Sequence, residues 1–111
     1  MGYTVAKSAL LGVVRALSAE FADQNVRVNG IAPGWIAIPL YRGARGADPA
    51  RKAKASGRIQ MGRIGEVEDV GWTCVFLASD AAACITGQAV AVDGRSPGGH
   101  LTFGNAIAPT C

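Results

Sequence analysis

The stretch Val26-Arg27-Val28-Asn29-Gly30-Ile31-Ala32-Pro33-Gly34 decides the fold. Its apolar, partly β-branched residues run into Pro-Gly, the pattern of a short buried strand closed by a turn. This predicts a strand over 26–32. A helix is predicted before it. Val5, Ala9, Leu10, Val13, Val14, Leu17 and Phe21 recur at spacings of three and four, which places one apolar stripe on a helix from about Tyr3 to Ala22. Asp23-Gln24-Asn25 then stops it, Asn being suited to a left-handed cap.

Downstream, residues 35–65 are rich in Gly, Ala and Arg and poor in periodicity, apart from a short helix near Pro49 to Ser56 with Pro in its first turn. Glu66, Glu68 and Asp69 crowd the next helix start, where carboxylates meet the positive end of the dipole. Val67, Val70, Cys74, Phe76 and Leu77 give that helix an apolar side ending near Ala78, and a last strand is expected over Gln88 to Val92. Helix, strand, excursion, helix, strand is the tail of a doubly wound α/β sheet. The two strands should pair in parallel through the helix that starts near Glu66.

Composition narrows the class. The chain has 111 residues and a net charge of +3, enough for one globular domain. No apolar run reaches the roughly 20 residues of a membrane span. The start carries no signal-peptide pattern, so a cytoplasmic location and no membrane partner are expected. Cys74, Cys84 and Cys111 lack CxxC spacing and nearby His. They read as two small buried residues and one tail thiol, with no metal site. Positive charge gathers at Arg42, Arg45, Arg51, Lys52, Lys54, Arg58 and Arg63. A basic nucleic-acid-binding fragment is disfavoured, because Tyr41 is the lone aromatic there and no base-reading motif accompanies it. His100 stands in an irregular tail, residues 95–111, without companion ligands.

Tyr3 and Lys7 lie four residues apart, hence on one helix face. A phenol titrates near pH ~10 in water, and a neighbouring ammonium favours its ionised form. Such a pair suits general acid–base work. Taken in order with Asn29-Gly30-Ile31-Ala32-Pro33-Gly34, Gly62-Arg63-Ile64-Gly65-Glu66 and Thr86-Gly87-Gln88 running into Val92-Asp93-Gly94, the pair resembles the C-terminal part of a classical short-chain dehydrogenase/reductase. The resemblance runs from about Tyr3 to Gly94 and implies an NAD(P)-dependent enzyme that interconverts a carbonyl and an alcohol.

In that resemblance Tyr3 is the general acid/base, while Lys7 assists it and holds the nicotinamide ribose. Pro33, Gly34 and the backbone of Ile36 pass beside the nicotinamide, and NAD or NADP is the implied cofactor. Residues 40–61 correspond to the substrate lid, and Ile38 just before it, with Leu40 and Tyr41 within it, are expected to face a small-molecule carbonyl or alcohol. Ile38 stands where the family often carries Thr, and an apolar side chain cannot donate that hydrogen bond. The arrangement also implies homo-oligomers, dimers or tetramers, built partly through the first helix.

The family places its dinucleotide-binding half ahead of the tyrosine, and only Met1 and Gly2 precede Tyr3. A truncated domain with no turnover by this polypeptide alone is therefore expected. The alternative is a non-catalytic remnant that associates with intact subunits.

Overall fold

The computed structural model describes residues 2–38 and 48–96. Helix α1 spans Gly2–Glu20 and is followed by a 3-10 turn at Ala22–Gln24 and strand β1 at Gly30–Pro33. Helix α2 (Pro49–Ser56), helix α3 (Val67–Ala78), a 3-10 turn at Asp80–Ala82 and strand β2 (Ala89–Val92) complete the order. β1 and β2 pair in parallel, with Gly30 opposite Ala89 and Pro33 opposite Val92. The parallel register and the helix on the connection agree with the sequence expectation. Leu40 and Tyr41, the first part of the lid segment, His100, Cys111 and most of the tail lie outside the described residues.

Each element end has a local cause. Asn25 adopts φ 59° and donates its N–H to Ala22 O, the left-handed stop that its side chain tolerates. Pro49 opens α2 with a φ already suited to a helix. The Asp48 carboxylate accepts the Ala50 N–H at 3.0 Å. At α3 the Glu66 N–H donates to the Asp69 carboxylate at 2.8 Å, part of a reciprocal capping box. The Ser79 hydroxyl closes the same helix by donating to Phe76 O at 2.8 Å.

The strands depart from expectation in length and burial. The ladder of β1 begins at Gly30 rather than Val26 and runs through Pro33, and β2 begins at Ala89 rather than Gln88. Upstream of Gly30, side chains take over the pairing. Val28 N–H donates to the Thr86 hydroxyl at 3.0 Å, and Gly87 N–H donates to Val28 O at 2.8 Å. Asn29 donates through Nδ2 to Ile85 O at 2.8 Å and accepts the Gln88 N–H through Oδ1 at 3.1 Å. Arg27 reaches the carbonyls of Ile85 and Ser79, each at 3.3 Å. Polar side chains here satisfy backbone groups that a longer ladder would otherwise pair.

β1 is half-buried rather than buried, with Pro33 exposed. The compact apolar cluster lies elsewhere: Ile59, Ile64 and Ala37 pack together with Ala55 against them. On α1 the apolar stripe stays largely outside, with Val5, Leu10 and Val13 about half or more exposed. On α3, Leu77 is buried whereas Val67 and Phe76 remain exposed. Cys74 and Cys84 are exposed too, correcting the expectation that both are buried. Both sit on surfaces that no described element covers, so thiols of buried type end at the surface. No helix among the described residues is long and apolar enough to cross a membrane.

Candidate active site

Helix α1 carries Tyr3 and Lys7 one turn apart. The Lys7 ammonium lies over the Tyr3 ring, 5.6 Å from its centroid. That is within the range of a cation–π contact. The two side chains line a trough of about 370 Å³ between α1 and the sheet. Leu10 and Val14 continue its helix wall, and Gly30 through Pro33 form its floor. The wall is mostly apolar, with the hydroxyl and the ammonium near the end occupied by the first turn of α1. Pro33 lies at the C-terminal end of β1, the end at which open α/β sheets bind ligands. Such a trough can hold a flat, largely apolar group beside one hydroxyl and one cation.

Gly34 and Ile36 do not line this trough. Gly34 sits where the strand ends converge. Its N–H donates to Val92 O at 3.0 Å, and an added Cβ would meet the Asp93 Cβ at 2.5 Å. Glycine is therefore required for close backbone approach. Ile36 forms a parallel bridge with Gly65. The bridge uses the Ala37 N–H, donated to Gly65 O, and the Trp35 carbonyl, which accepts the Gly65 N–H, each at 2.8 Å. The Ile36 N–H takes no part in it. Ile38 is exposed at the last described position before the lid, and Leu40 and Tyr41 lie outside the described residues. Thus Tyr3, Lys7 and Pro33 are brought together, while Gly34 and Ile36 occupy the adjoining turn.

A second cavity, about 410 Å³, opens at the end of β2 and is lined by Met61, Arg63, Asp69, Asp93 and Arg95 among others. Arg63 holds Asp69 through two contacts, 2.7 and 3.1 Å. The Arg63 hydrogen bond, then the Glu66 N–H, pulls the Asp69 carboxyl down to about 2. Asp69 in turn raises the Arg63 guanidinium above its ordinary value. The pair is partly open to solvent. It fixes the start of α3 and leaves no proton to exchange near neutrality. Among the described residues no group of His, Cys, Asp or Glu is arranged to hold a metal ion.

Sequence reasoning gave Asn29, Thr86 and Arg27 no structural part. The signal was present, since polar residues with donors and acceptors flank two very short strands. Only the pairing reveals which backbone groups they reach.

A parallel strand pair joined through α3, with the tyrosine and lysine of α1 on a trough along β1, defines an α/β protein. Residues 1–94 match the family model described as enoyl-(acyl carrier protein) reductase. The 3-oxoacyl-[acyl-carrier-protein] reductase of Thermotoga maritima is 37% identical over 92 residues, covering 83% of this chain and 36% of that protein. The 2-dehydro-3-deoxy-D-gluconate 5-dehydrogenase of Dickeya dadantii is 42% identical over 92 residues, with the same coverage of 83% and 36%. A candidate 2-deoxy-D-gluconate 3-dehydrogenase from Agrobacterium tumefaciens, solved with bound NADP, superposes with a TM-score of 0.73 at 40% identity. It covers 83% of this chain and 37% of that one. The chain belongs to the short-chain dehydrogenase/reductase family of oxidoreductases. It spans about a third of the length of the curated relatives it matches.

Proposed function

We propose that this region supplies the proton-transfer pair and the nicotinamide-side wall of an NAD(P)-dependent oxidoreductase acting on a small carbonyl or alcohol. The observation that carries the reading is the Lys7 ammonium 5.6 Å from the Tyr3 ring centroid, both facing one trough with Pro33. Lys7 and the turn at Pro33 would hold a reduced nicotinamide, which would supply a hydride, one proton with two electrons, to a carbonyl carbon. Tyr3 then gives its hydroxyl proton to the carbonyl oxygen, the new alcohol leaves neutral, and solvent returns a proton to the phenolate. Lys7 stabilises the negative charge that Tyr3 acquires in that step.

The trough's fit to such a group is supported by its apolar floor and its single cation; the Ile36 N–H, left out of its bridge, belongs to the adjoining turn. These suit a planar amide-bearing ring and a hydroxyl-rich sugar. Ile38 offers no hydroxyl, so cofactor contact at the turn falls to backbone groups. The relatives bear the names of an acyl-carrier-linked reductase and of sugar-acid dehydrogenases, and substrate choice is assigned to neither.

The test is a chimera in which the residues preceding the matched region of the Thermotoga maritima reductase are joined ahead of Gly2. Carbonyl reduction followed by NADPH absorbance should appear, and Tyr3→Phe should lower it by about 10²–10⁴-fold, the usual contribution of a positioned proton donor. Full activity in Tyr3→Phe, with an unchanged circular dichroism spectrum, would overturn the assignment.

A second reading is favoured by exposed apolar surface. Val5 and Leu10 on α1 are 64% and 52% exposed, and Trp72 on α3 is 72% exposed. Faces of this kind mark contact sites, and we assign α1 to assembly with another subunit. Light scattering of the purified chain from micromolar concentrations upward tests it: a constant monomer mass would remove this reading.

A further inference from the structure

The turn Asp93-Gly94-Arg95-Ser96 has a feature that the proton-transfer site does not use. Gly94 and Arg95 are consecutive left-handed residues, φ 58° and 57°. For Gly94 the conformation is easy, whereas an arginine rarely adopts it. The turn is nevertheless held. The Asp93 carboxylate accepts the Arg95 N–H at 2.8 Å.

With the backbone turned this way, both carbonyls face the segment that leaves α2. Gln60 N–H donates to Arg95 O at 3.3 Å, and Met61 N–H donates to Gly94 O at 3.2 Å. Beneath them lies Ile59, 3% exposed. A Cβ on Gly94 would stand 2.8 Å from the Ile59 Cγ2.

We infer that the Asp93–Ser96 turn is a latch that holds the exit of the α2 segment on the end of β2, and that the left-handed Arg95 sets its strength. Three consecutive residues, Ile59 to Met61, are fastened to it. Ile59 belongs to the small cluster with Ile64 and Ala37. The cluster thus ties together the α2 segment and the turn after β1. Releasing the turn frees both hydrogen bonds and lifts Gly94 from Ile59 in one step, because Gly94 supplies one of the two carbonyls and also stands against the Ile59 side chain. Met61 also lines the cavity at the end of β2, so latch opening reshapes that cavity.

The inference concerns the backbone, so the side chain at 95 can be varied to test it. Amide hydrogen exchange, read by mass spectrometry on segments 57–63 and 67–78, is measured for the protein, Arg95→Gly and Arg95→Val. Glycine accepts the left-handed conformation freely and a β-branched residue resists it most. Arg95→Gly should keep or increase protection of 57–63. Arg95→Val should speed exchange there by about tenfold or more, with 67–78 unchanged. Equal exchange of 57–63 in all three proteins would overturn the latch. So would loss of protection in Arg95→Gly, which would place the effect in the arginine side chain. Should Arg95→Val unfold altogether, Arg95→Ala takes its place: faster exchange of 57–63 than in Arg95→Gly is expected, and equal exchange in the two would overturn the latch. No substrate or cofactor is involved, so failure here is distinguishable from failure of the catalytic assignment.

Discussion

The seam between β1 and β2 and the helix α1 are built on opposite principles. The seam has little buried apolar volume, yet its backbone is tied across from Arg27 to Gly34 by ladder and side-chain hydrogen bonds. Helix α1 has a long apolar stripe and few partners, with Ser18 its lone buried residue. The seam is specified by direction and distance, because a hydrogen bond fails when its donor is misplaced. The helix is specified by periodicity, which fixes its conformation but not what covers it. The proposed proton-transfer pair sits on the loosely held element. The rigid element supplies the floor beneath it.

The largest expected effect falls on the seam. Gly34→Ala puts a methyl 2.5 Å from the Asp93 Cβ and 2.7 Å from its Cα. Because backbone must move, a loss of about 3 kcal/mol, the upper end of overpacking, is expected in chemical denaturation. A loss near zero would mean that the strand ends separate readily and the seam is not rigid. Next comes Asn29→Ala, which removes the bonds to Ile85 O and from Gln88 N–H. A cost of about 1–2 kcal/mol is expected from leaving those backbone groups to find other partners.

Smaller again is the Arg63–Asp69 pair. The folded carboxyl titrates at about 2 against an ordinary 3.8. Its folded value lies below its unfolded one, so the stabilisation is complete above the unfolded value and is lost as pH falls from about 4 to about 2. Asp69→Asn should flatten the acid limb of a stability–pH curve in that window and leave the neutral-pH fold in place. An unchanged acid limb would assign the capping of α3 to Glu66 alone.

The smallest effect is expected on α1. Leu10 is 52% exposed, so Leu10→Ala should cost less than about 1 kcal/mol in dilute protein. A loss of several kcal/mol that grows with protein concentration would show that another chain covers the stripe. The contrast with the seam would then become one between intra- and intermolecular packing.

Much of this was readable in the residues. Pro49 and the carboxylates at Glu66, Glu68 and Asp69 mark helix starts through local chemistry, and α2 and α3 begin beside them. Parallel pairing followed from a helix separating two apolar runs. The strand start was not readable, because Val26 and Val28 suit a strand whether backbone or side chains do the pairing. Nor was the exposure of Cys74 and Cys84: burial depends on what is packed outside a helix, and propensity carries no record of that. At the candidate site, the spacing of Tyr3 and Lys7 fixes a shared face. That Pro33 joins them while Gly34 turns toward Asp93 depends on where two distant segments meet.

By itself the sequence determined the helices, the parallel α/β class, the tyrosine–lysine pair and membership of the dehydrogenase/reductase family. These rest on i-to-i+4 spacing, capping and short motifs, all of them interactions along the chain. Tertiary structure alone decided that Asn29 and Thr86 replace ladder bonds and that Gly34 has no room for a methyl. It also decided that Gly94 and Arg95 fasten the segment leaving α2. Those facts need distances between residues tens of positions apart in sequence, such as Asn29 and Gln88 or Gln60 and Arg95. Local pattern does not encode such distances; packing of the folded chain sets them.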